Sequence, residues 1–202
     1  MTFEDRFQSP ALPITLRYPH RLCAPADKNQ EGIIDPVQHL VGYETLRTPF
    51  TRRQNVGVSN QFGTIAIDLT RRDVLMVPSS KDLVSVPPPL QPPLIDHFQC
   101  YRAKRSRGSA KFNKITVNVS DQLETNVPIT LTRPYRLCVP ADKNGEDPSA
   151  PQHPNTLLCY RSKSSVRFGT FSAHIANQFG TDDLTVIHRR ELCVPSLVQE
   201  QE

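Results

Sequence analysis

Apolar and polar residues alternate with a period of two along several short stretches of the chain. The pattern is clearest at Ile65–Leu69, Ile115–Val119, Phe171–Ile175 and Leu184–Val186. Because successive side chains of a strand point to opposite faces, this alternation predicts β-strands with one buried face. No window of a dozen residues shows an apolar period of 3.6 that is free of Pro and Gly. The sequence therefore predicts an all-β protein of antiparallel strands.

The sequence also repeats itself. Residues 14–29 recur at 129–144, an offset of 115, and the motif Asn-Gln-Phe-Gly-Thr at 60–64 recurs at 177–181, an offset of 117. A shorter period lies inside each copy, because a Cys-Tyr segment opens a unit and a Leu-Cys-x-Pro segment closes it. This period predicts one partial unit and three longer ones, at 1–29, 38–81, 96–145 and 153–197.

A proline-rich segment separates the second unit from the third. Residues 84–94 contain five prolines, which favour an extended spacer. We therefore predict antiparallel β-sandwich-like modules, each built from two duplicated units of about four strands. The predicted order is a first module at 1–81 that lacks its first strand and its disulfides, a proline-rich linker at 82–94, a complete second module at 95–197 and a tail at 198–202. The alternative is a buried proline-rich edge within one domain.

The five cysteines stand at isolated positions, without the C-x-x-C spacing of zinc or thioredoxin-like sites. In the second unit Gly42 and Met76 replace both cysteines of the repeat. Loss of both together is expected for a bonded pair, because a single remaining thiol would be reactive. We predict disulfides in an oxidising compartment, with four reduced, buried cysteines as the alternative. The predicted bonds are Cys100–Cys138 and Cys159–Cys193.

Cys23 belongs to the first unit, whose Cys-Tyr segment is absent, so it has no predicted partner in the chain. Truncation, a start site assigned too late, or a neighbouring subunit that supplies the strand and its cysteine would each explain this. Truncation is the leading interpretation, since residues 1–7 also lack the basic and apolar regions of a signal peptide. We predict no membrane span, because no apolar stretch approaches the roughly 18 residues that a spanning helix needs.

The charge pattern gives no sign of nucleic-acid binding. The 24 basic residues are offset by 20 acidic ones. The tract at 102–114 holds six cations but few aromatic side chains, so a solvated hairpin is favoured over a nucleic-acid or phosphate site. No hydrolase, phosphate-loop or paired-histidine metal motif occurs in the chain. We therefore predict a protein that is not an enzyme and has no cofactor.

Two equivalent loops place oxygen-bearing side chains at alternate positions, as the first three ligands of a calcium loop do. In both loops Lys occupies the second position, and no acidic residue stands at the twelfth. Asx-type turns are therefore the expected structure, with calcium as the weaker alternative. The candidate ligands are Asp27, Asn29, Glu31, Asp142, Asn144 and Glu146.

Four motifs occur in order along the second copy, at Asp96–Lys104, Leu137–Lys143, Asn177–Gly180 and Leu192–Ser196. With them, the chain resembles a family of tandem-repeat domains of unknown function from bacterial extracellular and cell-surface proteins. The resemblance implies a place outside the cytoplasm, often as repeats within longer proteins, with no established ligand or activity. Gly42, Met76 and the absent first strand are departures from the family pattern.

The expected function is a non-enzymatic structural or adhesive repeat module at a bacterial surface or in a secreted or filamentous assembly. Its partner is unknown; other copies of the chain and cell-surface components are the candidates. The alternative is a carbohydrate-binding module in which Tyr43, Tyr101 and Tyr160 pack on sugar rings. A tyrosine beside a cysteine in a strand is more often a residue of the core edge.

Overall fold

The computed structural model describes residues 1–92 and 94–199, and these residues form an all-β fold, as predicted. They contain fourteen strands that pair only in antiparallel fashion, together with one 3₁₀ turn at Ala150–Gln152 and no α-helix. The strands are β1 Thr2–Asp5, β2 Gln8–Pro13, β3 Leu16–Cys23, β4 Asp27–Lys28, β5 His39–Thr45, β6 Arg53–Asn60, β7 Gly63–Asp82, β8 His97–Arg105, β9 Ile115–Ser120, β10 Val127–Lys143, β11 Thr156–Lys163, β12 Phe171–Asn177, β13 Gly180–Val186 and β14 Glu191–Gln199.

Seven strands form the central sheet, in the order β3-β5-β7-β8-β10-β11-β14. Arg21 on β3 and Glu191 on β14 form an ion pair with an N–O distance of 3.3 Å. The first and last strands of the sheet therefore face each other. The sheet is curled, as the twist of adjacent strands favours, and we call it the curled sheet.

Pairing within the curled sheet has the same register in both sequence copies. Cys23 lies opposite Leu40 as Cys138 lies opposite Leu157. Gly42 lies opposite Met76 as Cys159 lies opposite Cys193. Residues related by the offsets of 115 and 117 thus occupy corresponding places in the sheet.

The two copies exchange their outer hairpins. β6 of the first copy pairs with the end of β14, where Val198 lies opposite Val58, and β12 of the second copy pairs with the end of β7, where Lys81 lies opposite Ile175. β7 also pairs with β8 across the proline-rich segment. The predicted modules at 1–81 and 95–197 thus share one sheet, which differs from two separately packed sandwiches. The physical reason is that the backbone groups on the strand edges of each copy pair with strands of the other copy.

The largest core cluster lies inside a closed ring of strands. β6 pairs with both β7 and β14, so the ring runs β6-β7-β8-β10-β11-β14. Each ring strand contributes buried apolar side chains to this cluster, among them Val58, Ile67, Tyr101, Leu137, Leu158 and Val194. Alternating side chains of the same strands therefore divide between this core and the opposite face of the curled sheet.

The proline-rich segment connects β7 and β8 without regular secondary structure in its described part. It is attached to the body of the protein, because Pro87 is buried and the hydroxyl of Ser80 donates a hydrogen bond to the carbonyl of Pro88 at 2.7 Å. The predicted tail at 198–202 begins inside β14, since that strand continues to Gln199, and residues 200–202 lie outside the described residues. Within the described part of the chain, no helix has the length and apolar character needed to cross a membrane.

Candidate functional site

The facing strands β3 and β14 border a cavity of about 810 Å³, which we call the β3–β14 groove. One wall is formed by residues 19–26 and the other by residues 183–193. Among the described residues, β3 pairs along one edge only, with β5, and residues 191–196 of β14 pair along one edge only, with β11. Two unpaired strand edges therefore face each other across the groove.

Both predicted cysteine pairs lie at disulfide distance beside this groove. The S–S distance is 2.07 Å for Cys100–Cys138 and 2.04 Å for Cys159–Cys193. Each pair joins directly opposite residues of neighbouring strands, with Cα–Cα distances of 3.9 and 3.8 Å. The cysteines pack with Leu40, Met76 and Phe98 in a cluster on the groove side of the curled sheet.

Cys23 lies on β3 at the wall of the same groove and is a free thiol. Cys23 as a whole residue is half-buried. Burial, with a smaller effect from the Glu191 carboxylate, raises the pKa of the Cys23 thiol to about 11. The thiol is therefore protonated at neutral pH, and its reactivity is low.

One end of the groove carries a charged cluster that the sequence analysis did not find. Arg136, whose side chain is 2% exposed, contacts Glu191 at 3.1 Å and Asp73 at 2.8 Å. Arg21 reaches the same Glu191 carboxylate, and Arg102 reaches Asp73 at 2.8 Å. Burial, together with the positive charge of Arg136, lowers the pKa of Arg21 to about 10, so Arg21 remains charged at neutral pH. The signal for this cluster was the Arg-Leu-Cys sequence shared by both copies.

The calcium candidates form two tight turns. The Asn29 side-chain oxygen accepts the Asn118 backbone N–H at 2.9 Å, and the Asn144 oxygen accepts that of Thr2 at 2.9 Å. In the first loop Asp27 accepts the backbone N–H of Gly32 at 3.1 Å; in the second, Asp142 accepts the equivalent N–H. Glu31 and Glu146 form ion pairs with the lysines at the second loop positions. The ligand oxygens are thus engaged with the protein itself, as in the expected Asx-type turns.

A Ser-His-Asp constellation occurs on the turn that precedes β11, outside the groove. His153 Nδ1 lies 2.9 Å from Asp96 Oδ1, and its Nε2 lies 3.1 Å from Ser149 Oγ. However, Ser149 Oγ lies closer to an Asp147 oxygen, at 2.6 Å. The ligand atoms of Asp96, Asp147 and His153 also lie within 4.8 Å of one another.

Among the described residues 149–153, no backbone N–H group is free to stabilise a developing oxyanion. The backbone N–H groups of Ser149, Ala150, Gln152 and His153 all donate within the turn, and Pro151 has none. Acyl transfer draws much of its rate from such donors. These side chains therefore have a structural role, because their local hydrogen bonds hold the connection between the 3₁₀ turn and the sheet.

The tyrosines of the carbohydrate hypothesis are not available to a sugar. Tyr43, Tyr101 and Tyr160 are 8%, 0% and 1% exposed. Their hydroxyl groups are also used: Tyr101 donates to Asp5 at 2.7 Å, and the other two accept hydrogen bonds from Asn177 and Asn60 at 3.0 Å. The proposed stacking role of these tyrosines is therefore wrong, because their rings lie in the core.

The comparisons with known proteins give no relative to which this geometry could be compared. No family model matches the chain, no curated protein is similar to it, and no solved structure matches its fold.

Proposed function

We propose that the protein is a non-enzymatic structural or adhesive module of an extracellular or cell-surface assembly. The observation that carries this proposal is the pair of cross-strand cysteine bridges on one face of the curled sheet. Bridges of this kind persist in oxidising compartments and are rare in the cytosol. They join strands that are already adjacent, so their main effect is to limit the freedom of the unfolded chain.

The groove also supports a role other than catalysis. The charged groups at its end, Arg21, Arg136, Asp73 and Glu191, pair with one another. A catalytic site instead needs a nucleophile or base that is aimed at an open position for substrate. The burial of the three tyrosines likewise leaves the carbohydrate alternative without a specific observation in its favour.

The experiment that tests the proposal compares proteolysis of the oxidised protein with that of a variant lacking both bridges, in which all four bonded cysteines are replaced by alanine. The loops closed by the bridges span 38 and 34 residues, and each is worth about 4 kcal/mol by loop-closure entropy. We expect the oxidised protein to resist thermolysin and the variant to be digested at least a hundredfold faster.

Two control measurements make the result interpretable. A variant with Cys23→Ala, which keeps both bridges, should be digested like the parent protein. A screen of the oxidised protein against immobilised glycans should show no binding. Equal digestion of the bridged and bridge-free proteins would overturn the proposal that the bridges give persistence outside the cell, and specific glycan binding would favour the carbohydrate-binding alternative.

A further inference from the structure

The repeat shows what occupies the place of the groove elsewhere in the molecule. β8 lies between β7 and β10 and pairs with both. The end of β7 is equivalent to β14 at the offset of 117. The residues of β10 that pair with β8, 139–141, are equivalent at the offset of 115 to residues 24–26, which directly follow β3. The space between β14 and β3 is therefore the equivalent of the position that β8 fills. In the structure this space is the β3–β14 groove.

The ion pair across the groove is similar to one that spans an intervening strand. Arg136 on β10 reaches Glu191 on β14 at 3.1 Å, with β11 between the two strands. Arg21 is the equivalent residue on β3 and reaches the same carboxylate at 3.3 Å. The same types of side chain therefore bridge both spans, one of which contains a strand, and two strand spacings amount to roughly 10 Å. That distance leaves room for one further strand.

The backbone differs between the two copies at the segment that borders the groove. In the first copy β7 continues without a break through residues 70–73, where Arg71 and Arg72 lie opposite residues of β8. The equivalent residues 187–190 lie outside regular strand structure, between β13 and β14. They line the groove, and on their other side the Ser162 N–H of β11 donates to the Arg190 carbonyl at 3.1 Å. Among the described residues, no strand pairs with them on the groove side. The two copies therefore differ at the segment where β8 is present in the first copy and no strand is present in the second.

We propose that the β3–β14 groove binds a cysteine-bearing β-strand supplied by a separate polypeptide, which pairs with both edges and forms a disulfide with Cys23. The inference rests on the proposed function and names the partner of the assembly. Within the described residues 1–92 and 94–199, a second copy of this chain has no such strand to give, because the three segments of this type, β5, β8 and β11, are each paired on both edges.

The register of the incoming strand follows from that of β8. Phe98 lies opposite Met76 on one side and Pro140 on the other, and Cys100 is bonded to Cys138. The equivalent contacts place an apolar residue of the incoming strand between Cys193 and Pro25, and place its cysteine beside Cys23. Main-chain hydrogen bonds would give affinity, and these two side chains would give specificity.

The covalent step is a thiol–disulfide exchange. The partner cysteine arrives as a mixed disulfide with a small thiol such as glutathione. The Cys23 thiol loses its proton to solvent, and its sulfur attacks the partner sulfur. The new S–S bond forms as the old one breaks, and the small thiol leaves with the electron pair. No other oxidant is needed.

The test uses a synthetic peptide with the sequence of residues 96–104, whose cysteine carries a coloured aromatic thiol as the leaving group. Release of this thiol by the full-length oxidised protein reports the reaction. The control reagent is blocked cysteine with the same leaving group and no strand. We expect the peptide to react at least tenfold faster than the control, because pairing raises the effective concentration of its sulfur beside Cys23.

Three further arms identify the mode of binding. Cys23→Ser should abolish the reaction without changing the melting temperature by more than a degree or two. A peptide with proline at alternate positions cannot form the ladder and should react like blocked cysteine. The protein alone, oxidised at high concentration, should remain a monomer on a non-reducing gel.

Each contrary outcome counts against the inference. Equal rates for the peptide and blocked cysteine, or for the peptide and its proline form, would overturn strand addition. A Cys23-linked dimer would assign the groove to a second copy of the chain. Because protease resistance of the bridged protein is measured without any peptide, failure of this inference is distinguishable from failure of the proposed function.

Discussion

A third disulfide can be introduced into the second unit with the double substitution Gly42→Cys and Met76→Cys. These residues lie opposite each other on β5 and β7, in the register that Cys159 and Cys193 have on β11 and β14. Gly42 and Met76 therefore occupy a bridge position in which the sulfur of Met76 fills the space above the glycine. A Cβ atom at position 42 would lie 2.8 Å from that sulfur.

The expected gain follows from two opposing terms. The new loop has the same 34-residue separation as the Cys159–Cys193 loop, which corresponds to about 4 kcal/mol of loop-closure entropy. Against this, the new Cβ at position 42 meets Val74 at 2.8 Å and Arg21 at 3.0 Å, and overpacking of this kind costs about 1–3 kcal/mol. A net stabilisation of about 1–3 kcal/mol raises the melting temperature by roughly 2–7 °C for a chain of this length.

The assay is calorimetry under non-reducing conditions, after peptide mapping has shown that the new bridge is formed. The matched control carries Gly42→Ser and Met76→Ser, which introduces similar crowding without a bond. The bridged variant should melt above both this control and the parent protein. If the bridge forms and the variant melts below the serine control, the equivalence of the two registers is not sufficient for a stabilising bond, and the reasoning fails.

Three further results are expected. Burial raises the pKa of Asp5 to about 6, so the folded state holds the proton of this carboxyl more tightly than the unfolded chain does. The free energy of unfolding should therefore fall by about 3 kcal/mol as pH rises from about 4 to 6. Urea unfolding of Asp5→Asn should not show this dependence on pH. Asn60→Ala and Asn177→Ala should each lower the free energy of unfolding by about 1–3 kcal/mol in the same assay, because each asparagine amide donates to a tyrosine and a serine hydroxyl. Destabilisation by only one of the two substitutions would contradict the equivalence of these positions. A fluorophosphonate probe should leave Ser149 unmodified, and labelling would point to a hydrolase.

The strands and the bonded cysteines were predictable from the sequence because their signals are local or repeated. Ile65, Ile67 and Leu69 are buried at alternate positions of β7, as a period of two requires. The cysteine pairs followed from a comparison between units, in which Gly42 and Met76 change together. A disulfide between two such cysteines also places them opposite each other on neighbouring strands, because directly opposed residues of an antiparallel ladder have their Cβ atoms close together.

The charged end of the groove was less accessible to sequence reasoning. Arg21 and Arg136 stand at equivalent positions, which indicated a shared role but gave no partner. Their partners, Asp73 and Glu191, lie on strands far away in the sequence, and a pairing of this kind depends on the order of strands in the sheet. Because a buried arginine needs a compensating carboxylate, the repeat could predict the need for one without identifying it.

The exchange of hairpins between the copies could not be predicted, for a reason that lies in the repeat itself. β6 and β12 are equivalent segments, and so are the strand ends at Ser80–Asp82 and Leu197–Gln199 that they pair with. An exchanged pairing and an unexchanged one therefore join residues of the same kinds, with the same alternation of apolar and polar side chains. The exchanged and unexchanged pairings differ in the connection to the hairpin. Because β8 pairs along residues 71–76, β7 stays continuous and its hairpin extends towards the other copy. A strand inserted beside β14 should do the same for residues 187–190, so occupation of the groove would be read out as new protection of these backbone amides against hydrogen exchange.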